Sequence, residues 1–272
     1  MENWKAIAED IIKAIKVLKE ENHRLETENE ELKETISKIL YILKNEGYVP
    51  FETIKKETSV KKTIDDYQLI DLGLPSGTLW MDRNVGASSP EDAGLYFAWG
   101  EAQGYTDYEV GRTKDFTWSD YKYTNGDSNK LTKYCKNYHY SNDGYVDYLT
   151  ALETIDDAAK LYTHGKCFMP TVGQLRELIN ETTSIWVTQN GVNGRLFTSK
   201  NNGNSIFIPT GGSANEVFVD GDGCVGCFWS CSLSKEHPLH AWCCSFDERH
   251  YQDVIESYRC YGASVRGVAA IC

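Results

Sequence analysis

The sequence predicts an α+β protein, in which an N-terminal α-helical coiled coil precedes a strand-rich domain. Three observations point there. A heptad repeat runs unbroken through the first 45 residues; from Tyr67 onward, short apolar runs are broken by Gly, Asn, Asp and Pro; and a helical stretch, Pro170 to Glu181, interrupts that second pattern.

In the N-terminal segment Trp4, Ile11, Leu18, Leu25, Leu32 and Ile39 occupy d positions, and Ala8, Ile15, Asn22, Asn29, Ile36 and Leu43 occupy a positions. Such a repeat makes an apolar seam that another helix can cover. The expected oligomerisation residues are Ile11, Ile15, Leu18, Asn22, Leu25, Asn29, Leu32, Ile36, Ile39 and Leu43. Asn22 and Asn29 would pair with copies of themselves and fix a parallel, in-register homo-oligomer. Ile at a with Leu at d leans toward a dimer, whereas the apolar flanking residues Ile7, Ile12, Leu40 and Ile42 lean toward a trimer; both states stay open. Asn45-Glu46-Gly47 ends the helix, with Pro50 just beyond. Residues 1–47 are thus expected as the coiled coil, 48–66 as a linker and 67–272 as a ligand-binding domain.

Within that domain Thr171 is placed to cap the second helical stretch, whose Leu175, Leu178 and Ile179 share a face. Asp156 to Tyr162 reads as a shorter helix. Trp80, Trp99, Trp118, Trp186, Trp229 and Trp242 are the expected core anchors.

Charge and cysteine usage narrow the function. A net charge of −12 without a Lys/Arg cluster argues against a phosphate-binding surface, so nucleic acid is not an expected partner. The N-terminus is charged from its second residue and no segment is apolar enough to span a bilayer. The expectation is synthesis in the cytoplasm without a signal peptide, and no membrane insertion. Nine cysteines, an odd number, fit free thiols better than a disulfide framework.

Sharper chemical readings fail on spacing. Cys224-x-x-Cys227 with Cys231, Cys243 and Cys244 lacks the two separated pairs of a structural zinc site, and Gly223 and Gly226 mark a turn where a redox CxxC needs a helix start. Asp220-Gly221-Asp222-Gly223 reads as a turn rather than a cation site. No nucleophile motif organises the His, Asp and Ser of the tail. No metal, cofactor or catalytic residue is expected.

Six phrases run in order through the domain: DLGLPSGTLWMDRNVGASSPEDAGLYFAWGE (71–101), CFMPTVGQLRELI (167–179), GNSIFIPTGG (203–212), FWSCS (228–232), AWCCSFD (241–247) and GASVRGV (262–268). Together they resemble the lectin-like domains common in gut Bacteroidetes and their phages, related to the Fibrobacter succinogenes major paralogous family. The resemblance implies a C-type lectin fold of the formylglycine-generating-enzyme branch, with MPT opening the helix as its hallmark. The same fold serves the variable proteins of diversity-generating retroelements, whose last strands and loops are mutated at template adenines. In that family the C-terminal segment is the ligand-binding face, and phage members sit at tail tips as receptor-binding adhesins. The implied partner is a protein or glycan receptor on a cell surface, and the implied location is the virion (phage tail tip) or a cell surface. Formylglycine-generating enzymes use a C-terminal cysteine pair for copper and oxidation, a spacing that Cys243-Cys244 does not match. Calcium-dependent lectins need a Trp-Asn-Asp that is absent here, and Glu236-His237-Pro238 is only an echo of their other motif.

The tail carries its own signature. Residues 216–272 contain no Asn and no Thr, whereas residues 1–215 contain 16 Asn and 20 Thr. Both amino acids have codons beginning with adenine, so mutagenesis at adenine depletes them together. Seven of the nine cysteines also lie in this tail, one or two adenine changes from Asn, Ser and Tyr codons.

Strand alternation sorts the tail's residues. Along 241–246, Trp242, Cys244 and Phe246 share one face and Ala241, Cys243 and Ser245 the other. Assigning Trp and Phe to the core turns Cys243 and Ser245 outward. The expected variable face, within about residues 224–268, comprises Leu239, His240, Cys243, Ser245, His250, Tyr251, Asp253, Ile255, Tyr258, Cys260, Tyr261 and Ala263. Trp229, Trp242, Phe246, Val265 and Arg266 are its expected constant frame. Tyr, His and small residues on a rigid scaffold have the chemistry of an antibody paratope, and avidity multiplies moderate affinity. The expected function is a diversified receptor-binding protein without enzymatic activity. The alternatives are a non-diversified surface lectin-like protein and an oxidase of the formylglycine-generating branch.

Overall fold

The computed structural model describes residues 67–249 and 253–270. The expected coiled coil and linker, together with His250 and Tyr251, lie outside the described residues. The chain divides into two compact units, Met1–Lys61 and Lys62–Cys272, and everything described belongs to the second.

Among the described residues, thirteen strands and two α-helices order this unit. The strands are β1 (Leu69–Asp71), β2 (Thr78–Met81), β3 (Phe97–Ala98), β4 (Thr182–Gln189), β5 (Val192–Ser199), β6 (Ser205–Pro209) and β7 (Gly211–Asn215). They continue with β8 (Phe218–Asp222), β9 (Val225–Leu233), β10 (His240–Asp247), β11 (Asp253–Tyr258), β12 (Gly262–Ala263) and β13 (Val268–Ala270). The helices are α1 (Ala158–Tyr162) and α2 (Val172–Glu181).

The α+β class, with its C-type lectin domain behind a long helix, is therefore corrected. Among the described residues the protein is mainly β, and its α-helices span five and ten residues. The expected α content rested chiefly on the heptad segment, which lies outside the described residues. What remains is dominated by β-branched and aromatic runs cut by Gly, which favour strands.

The local rules hold where helices do form. Thr171 accepts from the Gln174 amide at 3.2 Å while the Gln174 side chain accepts from the Thr171 amide at 2.9 Å, a reciprocal capping box opening α2. Asp157 caps α1 through the Lys160 amide at 2.9 Å. Asn190 and Gly191, both at positive φ, make the two-residue turn that joins β4 to β5.

The strands form three sheets. β1, β2 and β13 make one, so the end of the unit pairs with its beginning, Val268 opposite Trp80. β4, β5 and β6 make a meander. The largest sheet runs β11-β10-β9-β7-β12-β3, with β8 added on β7. Its middle is buried on both faces. On β9, Trp229 belongs to a cluster with Phe97, Trp99 and Val265, while its neighbour Phe228 joins Trp80, Phe197 and Phe246 in a second cluster. On β10, Cys243 lies in the first cluster and Cys244 in the second.

Of the expected anchors, Trp80, Trp99 and Trp229 are fully buried; Trp118, Trp186 and Trp242 are half-buried. Trp242 is the notable departure from the expected frame. It lies under the Arg176 guanidinium of α2, 5.1 Å from the ring centroid, rather than in the core. The other frame residues, Trp229, Phe246, Val265 and Arg266, are buried. Arg266 donates to Asn84 Oδ1 at 2.8 Å and to the Met81 and Phe207 carbonyls at 3.0 and 3.1 Å. Burial pulls its pKa down to about 9, so it stays cationic at neutral pH and holds three segments together.

Candidate binding face

The hairpin of β10 and β11 carries most of the expected face. Its register sets His240 opposite Tyr258, Trp242 opposite Glu256, Cys243 opposite Ile255 and Ser245 opposite Asp253. Successive residues alternate faces, so His240 and Tyr258 fall on one side of the ladder and Ser245, Asp253 and Ile255 on the other. The described members of the expected set on this hairpin therefore divide between its two faces.

Three of its members are not on the surface. Cys243, Cys260 and Ala263 are 0%, 1% and 1% exposed, which corrects the expectation that they look outward. The expectation gave β10 one dry face and one wet one. In the fold β10 lies between β9 and β11, with a hydrophobic cluster against each side, so turning Phe246 inward does not turn Cys243 out. Ala263, on β12 between β7 and β3, and Cys260 just before it both pack into the first cluster. Asp253, Ile255 and Tyr258 are exposed; Leu239, His240, Ser245 and Tyr261 are half-buried.

One patch is organised by aromatic contacts. His240 lies 4.3 Å from the Tyr258 ring centroid, and Tyr258 meets Tyr261 at 5.4 Å and Trp118 at 6.0 Å, both edge-on. His237 adds a ring 5.5 Å from His240. Beneath it Arg259, fully buried, donates to the Tyr134 carbonyl at 2.9 Å and lies over the rings of Trp99 and Tyr121.

The loop after β9 fixes the patch's edge. Ser234 Oγ accepts from the His237 amide at 2.9 Å and donates to Glu256 Oε1 at 2.7 Å, while the His237 imidazole pairs with the other oxygen of Glu256. Burial alone would raise the Glu256 pKa; the bonds from Ser234 and His237 outweigh it and hold the carboxyl below its usual range. Burial, reinforced by the neighbouring His237, pushes His240 the other way, below the ordinary imidazole value. At neutral pH this surface thus offers a neutral imidazole beside aromatic ring faces, groups suited to adaptable contact.

Three members of the patch escaped the sequence. The sequence reads Trp118 as a core anchor, and it does pack against the first cluster as well as meeting Tyr258; it reads His237 only as a calcium-motif echo and gives Glu256 no role. No local pattern betrays them, because they meet across loops far apart in the chain.

Among the described residues no three His, Cys, Asp or Glu side chains are grouped to hold a metal ion. The thiol of Cys243, beside Cys227 and fully buried, is raised well above its ordinary pKa, and burial raises Cys244 as well. Burial also pushes Cys231 up to about 11 and Cys260 up to about 12. Such thiols stay protonated and chemically quiet at neutral pH. Asp220 and Asp222 are both exposed on β8. Among the described residues no helix is long and apolar enough to cross a membrane.

Compared with family models, curated proteins and solved structures, the chain matches none.

Proposed function

We propose that this chain is a diversified ligand-binding protein, of the variable kind that diversity-generating retroelements encode, acting as a receptor-binding adhesin at a phage tail tip. One observation carries the reading. The stretch that lacks Asn and Thr supplies His237, His240, Tyr258 and Tyr261 to an accessible aromatic patch, and it also supplies Trp229, Phe246, Val265 and Arg266 to the buried frame. Variation at the first group changes contact chemistry, while the second keeps the backbone in place. The receptor is a protein or a glycan on a cell surface.

The neighbouring DNA tests this directly. A near-copy of the codons for residues 216–272, beside a reverse transcriptase gene and differing only where the template has adenine, is the expected finding. A genome with no such copy, or with mismatches spread over all four bases, sinks the proposal.

A further inference from the structure

A strand at the end of a sheet pairs with other chains unless it is short, charged, covered or broken by Pro. Most such strands here are protected in one of these ways. β1 and β13 have three residues each and β3 has two; β6 is buried from Ile206 onward and ends in Pro209. β8 carries Asp220 and Asp222, and β11 carries Asp253 and Glu256, with Asp253 Oδ1 accepting the Val254 amide at 2.7 Å. β4 has none of these protections. Its eight residues, TTSIWVTQ, include no charge, no Gly and no Pro, and they pair with β5 without a bulge from Thr182–Ser199 to Gln189–Val192. Among the described residues no other strand pairs with it, although the chain as a whole carries a net charge of −12.

The turn at Asn190-Gly191 decides which backbone groups β5 takes. Gln189 and Val192 flank a two-residue turn and so form a hydrogen-bonded pair, and every second residue back along β4 does the same. The Lys200 amide, bonded to the Glu181 carbonyl at 3.0 Å, keeps that phase to the start of the strand. Thr182, Trp186 and Thr188 therefore turn their N–H and C=O groups away from β5. Side chains alternate between faces: Trp186 packs on the second cluster, and Ile185 stands on the opposite face, 57% exposed.

We propose that β4 is a dimerisation edge, pairing antiparallel with β4 of a second copy about a two-fold axis at Ile185. The register follows from the strand itself. Ile185 opposite Ile185 of the second copy sets Thr182 opposite Thr188 and Thr188 opposite Thr182, so outward groups meet outward groups. A shift of one residue sets them against residues already bonded to β5. Ile185 falls at a non-hydrogen-bonded site, where facing side chains lie closest, so two exposed β-branched groups cover each other. A second copy fits because two strongly negative chains meet at an edge that carries none of that charge. The two three-stranded sheets then become one of six strands, and the contact, being the same patch on both copies, closes at two. It uses no residue of the aromatic patch, brings two such patches into one assembly, and holds whether or not the tail is diversified.

Cysteine cross-linking of the full-length protein tests the register. Ile185→Cys, oxidised with copper–phenanthroline, should yield a disulfide-linked 185–185 peptide by mass spectrometry, which distinguishes it from links through the exposed Cys224. Thr188→Cys is the control: it is also exposed, but lies roughly 20 Å from its copy in this register and should not link to itself. Thr183→Cys with Val187→Cys in one chain should link 183 to 187. Adding Ile185→Lys, which sets two like charges on the axis at an exposed position, should cut that yield about tenfold, with circular dichroism unchanged. The proposal is overturned if no 185–185 peptide forms, if Thr188→Cys links as readily as Ile185→Cys, or if Ile185→Lys leaves the 183–187 yield intact.

Discussion

Residue by residue, the tail mixes positions that tolerate change with positions that do not, and burial separates them. Trp229 is fully buried and its indole N–H donates to the Phe97 carbonyl at 2.8 Å. Trp229→Ala should cost about 3–5 kcal/mol, read from the urea midpoint. Tyr258 is 39% exposed, so Tyr258→Ala should shift stability by no more than about 1 kcal/mol, and an equal loss for the two would refute the division into frame and face. Gly226 is a hidden member of the frame. A Cβ built there would lie 2.0 Å from Cζ of Phe246, so Gly226→Ala must push a core ring aside. We expect about 1–3 kcal/mol of destabilisation. Gly226→Ala with Phe246→Leu should recover part of it, and a double variant no better than the sum of the singles would show that the ring is not the obstacle.

Elements explain which parts of the fold were legible. The α2 helix was readable because its cap is local: Thr171, a Gln three residues on, and Leu175 and Leu178 on one face. Thr171→Ala should cost about 1 kcal/mol, and a change below a few tenths would mean the capping box contributes little. The burial of Trp80, Trp99 and Trp229 also follows from residue type alone. The β10 strand was misread because alternation assigns residues to faces but not faces to solvent. Only the tertiary packing shows that both faces of β10 are covered: Cys243 meets the cluster that holds Phe97, Trp99 and Val265, and Cys244 the one that holds Trp80, Phe197 and Phe228, residues from distant parts of the chain. The binding patch was half legible for the same reason: His240, Tyr258 and Tyr261 stand in the tail, whereas Trp118 reaches them from a loop. That loop is tied down by Asp156, 1% exposed, which accepts from Lys133 at 2.5 Å and from the Tyr134 hydroxyl at 2.6 Å. Burial alone would raise the Asp156 pKa, but the bonds from Lys133, Tyr123 and Tyr134 outweigh it and leave it below its ordinary value. A depressed carboxyl pKa adds stability that is complete above the unfolded value, about 3.9, and is lost as pH falls through the folded one. Urea midpoints of the native protein should therefore decline below about pH 4, and Asp156→Asn should be less stable at pH 7 with a flatter acid limb. Parallel pH profiles would discard this account.

At the scale of the whole unit, the question is whether two hydrophobic clusters make two folding units or one. The first holds Trp99, Phe97, Trp229 and Val265, the second Trp80, Phe197, Phe228 and Phe246. Each could melt alone if separate elements supplied them. They do not: adjacent residues on β9 feed opposite clusters, as do Cys243 and Cys244 on β10, so separating those strands empties both. The first and last strands of the described unit reinforce the coupling, since β13 pairs with β2, and Arg266 just before it bonds to Asn84, Met81 and Phe207. Residues 62–272 should therefore unfold in one transition, with far-UV circular dichroism and tryptophan fluorescence superimposing along a urea gradient. The same coupling sets how a variable tail can be tolerated. A substitution in β9 or β10 at a buried position lowers the stability of the entire unit, whereas one at Asp253, Ile255 or Tyr258 is felt only at the surface. Two resolved transitions would break this argument, because a tail that melted apart from the rest could vary at its core positions without endangering the fold.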